Sequence, residues 1–233
     1  MTWHAKRTGG YDNQSSEYYD NVWEIYNTLT NDFYLVGDAW SYEAIIGLIA
    51  NATQESGLNP WRYNGSAAYG LVQFHPPSYY IGGVGTSYSA YAPSTSPTAS
   101  GDGAQPTDGL AQLQVVDSPS QTKYIANSQR KQKARDLGWS ILEWTSIQDY
   151  KICDDIDEAI QAFLLFYEYP STSLNVLSNQ YYLRRSYVDR IVEILGGTPP
   201  PPPPPPPPPY HESKGMPLYM YTLKRYKQRK GLI

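Results

Sequence analysis

Between Ser41 and Gly57 the chain reads SYEAIIGLIANATQESG, and this segment dictates a helix laid against a core. Ala44, Ile45, Leu48, Ile49 and Ala52 recur at helical spacing and make one apolar stripe. Ser41 has the side chain of an N-cap, and Glu43 lies in the first turn, where the helix dipole favours a carboxylate. Gly57 supplies a left-handed stop, and Pro60 forbids resumption nearby. Glu55 stands three positions after Ala52 and seven after Leu48, so it prolongs the apolar stripe. Partial burial and the negative end of the helix dipole both disfavour a charged carboxylate there, which suits a general acid.

Three blocks then follow in order: Glu55-Ser56-Gly57-Leu58-Asn59-Pro60, Gly70-Leu71-Val72-Gln73-Phe74, and FLLFYEYP from Phe163 to Pro170. Together they resemble the phage tail lysozyme group of the lysozyme and lytic transglycosylase superfamily, over roughly Ser41 to Leu195. The resemblance implies a mainly α (α+β) lysozyme-like domain with a reduced β-lobe. It also implies cleavage of the glycan strand of peptidoglycan, with Glu55 as the catalytic residue. Gln73 and Tyr69 become candidates for positioning substrate, since an amide can bond an N-acetyl group and a tyrosine can stack. Phe74 and Tyr63 are candidates for lining the groove. Tyr167 and Glu168 are possible supporting groups from the late helix, although Tyr167 also fits the apolar stripe and Glu168 a helix-end charge. No second catalytic carboxylate is evident: Asp102, Asp108 and Asp117 read as loop aspartates. A lytic transglycosylase manages, by resemblance, with one glutamate, so hydrolysis and transglycosylation both stay open.

The chain has 233 residues and 40% hydrophobic content, enough for one sizeable domain with a core. No apolar stretch reaches the roughly 18 residues of a membrane span, and the N-terminus lacks the apolar run of a secretory signal. Cys153 is the only cysteine, and His4, His75 and His211 lack ligand spacing, so the reading calls for no metal and no cofactor. Twenty-three tyrosines suit sugar stacking, but amphipathic packing and the surface of an assembled particle account for most of them.

In chain order, residues 1–14 read as a polar arm. A first helix, capped by Ser15 or Ser16, runs to about Asn31 with Val22, Ile25, Tyr26 and Leu29 on one face. Core packing accounts for Trp23 and Trp40. From Tyr88 to Asp108 the composition predicts a long surface loop, either a groove wall or a flap. Helix resumes from about Gln121. Asn127 to Thr145 predicts one or two helices broken near Gly138, with Ala134, Leu137, Ile141 and Leu142 buried. Trp139 and Trp144 fit the core better than a sugar platform. Asp154 or Asp155 caps the next helix, which follows the 3.6 period through Tyr167 to Pro170. The last helix, about Tyr182 to Leu195, buries Val188, Ile191, Val192 and Leu195 and stops at Gly196-Gly197.

The folded domain is therefore expected over 15–197, a polyproline linker over 198–209 and a basic tail over 210–233. Eleven consecutive prolines, Pro199 to Pro209, favour an extended rod of roughly 34 Å. The tail places Lys214, Lys224, Arg225, Lys227, Arg229 and Lys230 against Glu212 alone, whereas the whole chain carries a net charge of −4. Such a segment suits an acidic groove on an assembly partner, an anionic surface or nucleic acid, and equally a solvated end. Tail proteins of the particle are the preferred partner and nucleic acid the disfavoured one. The resemblance implies a virion location in the tail. The alternative is a structural tail protein or glycan-binding module of the same shape without turnover.

Overall fold

The computed structural model describes residues 3–6, 9–31, 35, 37–62, 68–74, 98–99, 109–119, 123–141 and 143–196. All lie within Met1–Pro199, the first of two units into which the chain divides. The described residues are mainly helical. The order is β1 (Trp3–His4), α1 (Ser16–Leu29), α2 (Tyr42–Ser56), β2 (Thr98–Ala99), α3 (Gly109–Asp117), α4 (Ser128–Leu137), α5 (Ile147–Lys151), α6 (Ile156–Ala162), a π-helix (Phe163–Glu168), α7 (Leu174–Arg185) and α8 (Val188–Gly196). The polyproline run and the basic tail, with Tyr63, Asp102, Asp108, Leu142 and most of the expected long loop, lie outside the described residues.

Helix α2 forms where its sequence demands. The Ser41 hydroxyl accepts from Ala44 N–H, and Gly57 closes the other end at φ 59° with its N–H on the Thr53 carbonyl. Every residue from Ala44 to Thr53 is buried, so the stripe expands into a helix enclosed on all sides. Helices α1, α5, α6, α7, α8 and the π-helix all pack on it. At Gly47 α2 comes close to α6: a Cβ there would lie 2.5 Å from the Ala159 methyl. The absent side chain sets that interhelical distance.

Several expectations change. Residues before Ser15 are not a polar arm: Trp3 and Ala5 are buried, and β1 pairs antiparallel with β2, Trp3 opposite Ala99. The buried Asn21 side chain donates to the His4 carbonyl and accepts from the His4 N–H, while Asn59 donates to the carbonyls of Lys6 and Gly9. Paired backbone polar groups permit this burial. Helix α3 begins before Gln121, and its last residue, Asp117, is no loop aspartate: it is buried, 2.6 Å from Lys151 Nζ, and accepts from Trp40 Nε1 at 2.8 Å. The single last helix is two, with the chain turning at Ser186 and Tyr187. The turn leaves Val192 substantially exposed and buries Ile194 instead. Leu137 is only partly buried, as is Trp144.

Candidate active site

The site grows from the C-terminal turn of α2. Glu55 is 22% exposed, at the end of a helix otherwise largely enclosed, so its carboxylate is accessible without being fully solvated. The completely buried Arg184 of α7 meets it, and the guanidinium Nη2 donates to Glu55 Oε1. Arg184 also donates from Nε to Asn51 Oδ1 at 2.7 Å, and from Nη1 to the Gln180 carbonyl and side-chain oxygens at 3.2 and 2.6 Å. Asn51 precedes Glu55, and Gln180 precedes Arg184, by one helical turn. Each helix therefore offers two groups on the facing side, which satisfies a cation removed from water. Burial and the helix dipole are the only influences on Glu55 that its own helix makes legible in the sequence. The structure adds a cation, Arg184, and its sequence signal is its place seven residues after Leu177 on the buried face of α7.

A second carboxylate belongs to the same cluster. Glu168 ends the π-helix, and the field of Glu55 reaches it. Its carboxyl is pushed up to about 8, first by burial and then by the Glu55 charge, against the opposing pull of Lys123 and Arg184. Lys123 Nζ is 3.7 Å from Glu168 Oε2, beyond a good hydrogen bond, so burial prevails over the cation. The other oxygen, Oε1, is buried with no hydrogen-bond partner among the described residues.

The π-helix explains how this glutamate is placed. Phe163 to Tyr167 are five consecutive buried residues, so no side of this turn faces water. The widened turn closes with Tyr169 N–H on the Leu164 carbonyl, five residues back, at 2.7 Å. It frees the Phe166 carbonyl to accept from Ile125 N–H at 2.7 Å and Arg130 Nη1 at 2.6 Å. The expected 3.6 period therefore stops at Phe163. Tyr167 packs face to face on Phe163 with ring centroids 4.4 Å apart.

The Gly70–Gln73 segment is a tight turn. Tyr69 and Phe74 exchange both backbone hydrogen bonds, at 3.1 and 2.7 Å, and both side chains are buried. Gly70 sits at φ 85°, where an added Cβ would lie 2.3 Å from Gln112 Oε1. Gln112, on α3, accepts from Leu71 N–H and donates to the Pro60 carbonyl, tying the turn to the segment after α2. Gln73 adopts φ 45°, a left-handed conformation uncommon for a residue with a side chain. Its Nε2 donates to the carbonyls of Arg62 and Gly70, and its Oε1 has no partner among the described residues. Thus Tyr69, Gln73 and Phe74 come together, but as parts of the turn's own packing. Lys123 joins this turn to Glu168 through the Val72 and Gln73 carbonyls, at 3.0 and 3.3 Å.

With this geometry, the sequence profile of the phage tail lysozyme family matches residues 20–194. The chain belongs to the phage tail lysozyme family. No curated protein and no solved structure matches it. The matched span contains Glu55, Lys123, Glu168 and Arg184, and membership supports a lysozyme or lytic transglycosylase-like domain. No group of three or more His, Cys, Asp or Glu residues among the described ones is arranged to hold a metal ion. Nor is any described helix of this family member long and apolar enough to cross a membrane.

Proposed function

We propose that this protein is a phage tail-associated glycosidase that cleaves the glycan strand of bacterial peptidoglycan during infection. The observation that carries this reading is a partly exposed carboxylate, Glu55, ending the enclosed helix α2 against the buried Arg184 within the span matched by the family, with the buried Glu168 within reach of its charge. Cleavage needs a proton on the leaving glycosidic oxygen. Glu55 is the member that reaches substrate. Burial and the Glu55 charge both favour the neutral form of Glu168, so the cluster holds one negative charge more readily than two. The bond from the anomeric carbon to the leaving oxygen breaks as that oxygen takes the proton; water or the sugar's own hydroxyl then adds to the anomeric carbon and returns its proton to the carboxylate that donated the first. Tyr69, Gln73 and Phe74 serve by shaping the turn beside the cluster.

The ion pair between Glu55 and Arg184 favours a second reading, in which the domain binds glycan or serves as a structural tail protein without turnover. A carboxylate held by a buried guanidinium gives up its place reluctantly. Digestion of purified bacterial walls, with mass spectrometry of the released fragments, separates these readings. The first predicts cleaved glycan: anhydro ends for transglycosylation, reducing ends for hydrolysis. Bound but intact strands would establish the second reading. In either case the proline run acts as a spacer and the basic tail as the attachment to other tail proteins, placing the chain in the virion. Deleting residues 210–233 should remove the protein from assembled particles, and normal incorporation of the shortened chain would refute that role.

A further inference from the structure

Lys123 stands between the Gly70–Gln73 turn and Glu168 and has no part in the chemistry described above. Its Nζ donates to the carbonyls of Val72 and Gln73, lies 3.7 Å from Glu168 Oε2, and sits over the rings of Tyr167 and Phe74 at 4.7 and 5.4 Å from their centroids. Its side chain is 11% exposed. A lysine that serves only the surface does not bury its ammonium against two carbonyls, a carboxyl and two aromatic faces. One of those carbonyls belongs to Gln73, whose positive φ is sustained by the Tyr69–Phe74 pairing, by its own amide and by this ammonium.

We propose that Lys123 is a positioning residue of this site: it fastens the Gly70–Gln73 turn to Glu168 and fixes the spacing between them. The proposal rests on the reading of Glu55 and Glu168 as the reacting pair. The charged groups facing Glu168 are Glu55 from α2, Arg184 from α7 and Lys123 from the segment before α4. From α4, Arg130 is directed to the Phe166 carbonyl and the Tyr169 ring, and from α6, Asp157 is paired with Arg185. Removing Lys123 therefore removes the larger of the two cationic influences that oppose burial of Glu168. It also releases the strained end of the turn.

The test uses the full chain with K123M and K123R, reading the Glu168 carboxyl by 13C NMR titration and wall cleavage as a function of pH. In K123M, Glu168 should titrate about one pH unit or more higher than in the parent. Wall cleavage should fall about tenfold or more, with its pH profile displaced in the same direction. In K123R the cation is kept, so the titration should stay near the parental one and most cleavage should return. K123M with the parental titration and pH profile would overturn the proposal. Should K123M fail to fold, folded K123R with parental Glu168 titration and cleavage within about tenfold of the parent supports the proposal. Folded K123R without cleavage overturns it. A parent protein that leaves walls intact defeats the functional reading instead, and the titration, which needs no substrate, still decides the role of Lys123.

Discussion

Two buried ion clusters in this protein are built from the same ingredients and are finished differently. At one, Asp117 and Lys151 meet at 2.6 Å with side chains 0% and 1% exposed, and Trp40 donates to the same carboxylate oxygen. At the other, Arg184 is equally buried, but Glu55 reaches solvent and Glu168 keeps an oxygen without a hydrogen-bond partner among the described residues. The first cluster is closed, joining the end of α3 to α5 beneath Trp40. The second is open on one side and carries two carboxyls in unlike surroundings, the arrangement expected where a proton must be handed over. Buried charge by itself therefore does not mark an active site. An uneven and partly accessible charge cluster is the better candidate.

Breaking the closed cluster should give the largest effect on stability. Lys151→Met leaves Asp117 buried without its cation and should cost about 3–5 kcal/mol, measured by denaturant unfolding. Arg184→Met should cost less, about 1–3 kcal/mol, because Glu55 reaches water and the loss falls on the orphaned Asn51 and Gln180 oxygens. Equal losses at the two sites would erase the distinction drawn here.

The pH dependence sharpens it further. Glu168 holds its proton in the folded chain up to about 8, well above the ordinary value of 4.5 that the unfolded chain recovers. Between those limits the folded state binds the extra proton. Its stabilising effect is complete below the lower value and disappears as pH rises through the upper one. Stability should therefore decline between about pH 5 and 8, by at most about 1.4 kcal/mol per pH unit for a single proton, and Glu168→Gln should flatten that decline. An unchanged slope in the variant would remove Glu168 as its source. The smallest effect is expected away from both clusters: Val192→Ser, on the exposed side of α8, should change unfolding free energy by no more than about 0.5 kcal/mol.

The fold was legible where a periodic stripe and its caps agree. Helix α1 with Ser15, α2 with Ser41 and Gly57, α4 with Asn127 and Gly138, and α6 with Asp155 all stand where local chemistry puts them. Long-range packing hid the rest. Nothing around Met1 to Gln14 announces that Asn21 and Asn59 will pair its backbone, and nothing in FLLFYE distinguishes a π-turn from an α-turn. A last helix begun at Tyr182 leaves out Leu177, whose spacing to Arg184 marks the buried face of α7. Within the site, Glu55 could be singled out because it is a carboxylate that prolongs an apolar stripe. Lys123 could not, because its partners are backbone carbonyls of a turn about fifty residues earlier.

In the proposed mechanism Glu55, despite its buried partner, is the carboxyl that works on the glycan. The most direct measurement compares wall cleavage by the parent chain and Glu55→Gln at equal concentration, after circular dichroism has shown both to be folded. The amide keeps an oxygen for Arg184 and loses the transferable proton, so the fold should survive and cleavage should fall about 100-fold or more. Parental cleavage by folded Glu55→Gln would contradict the account.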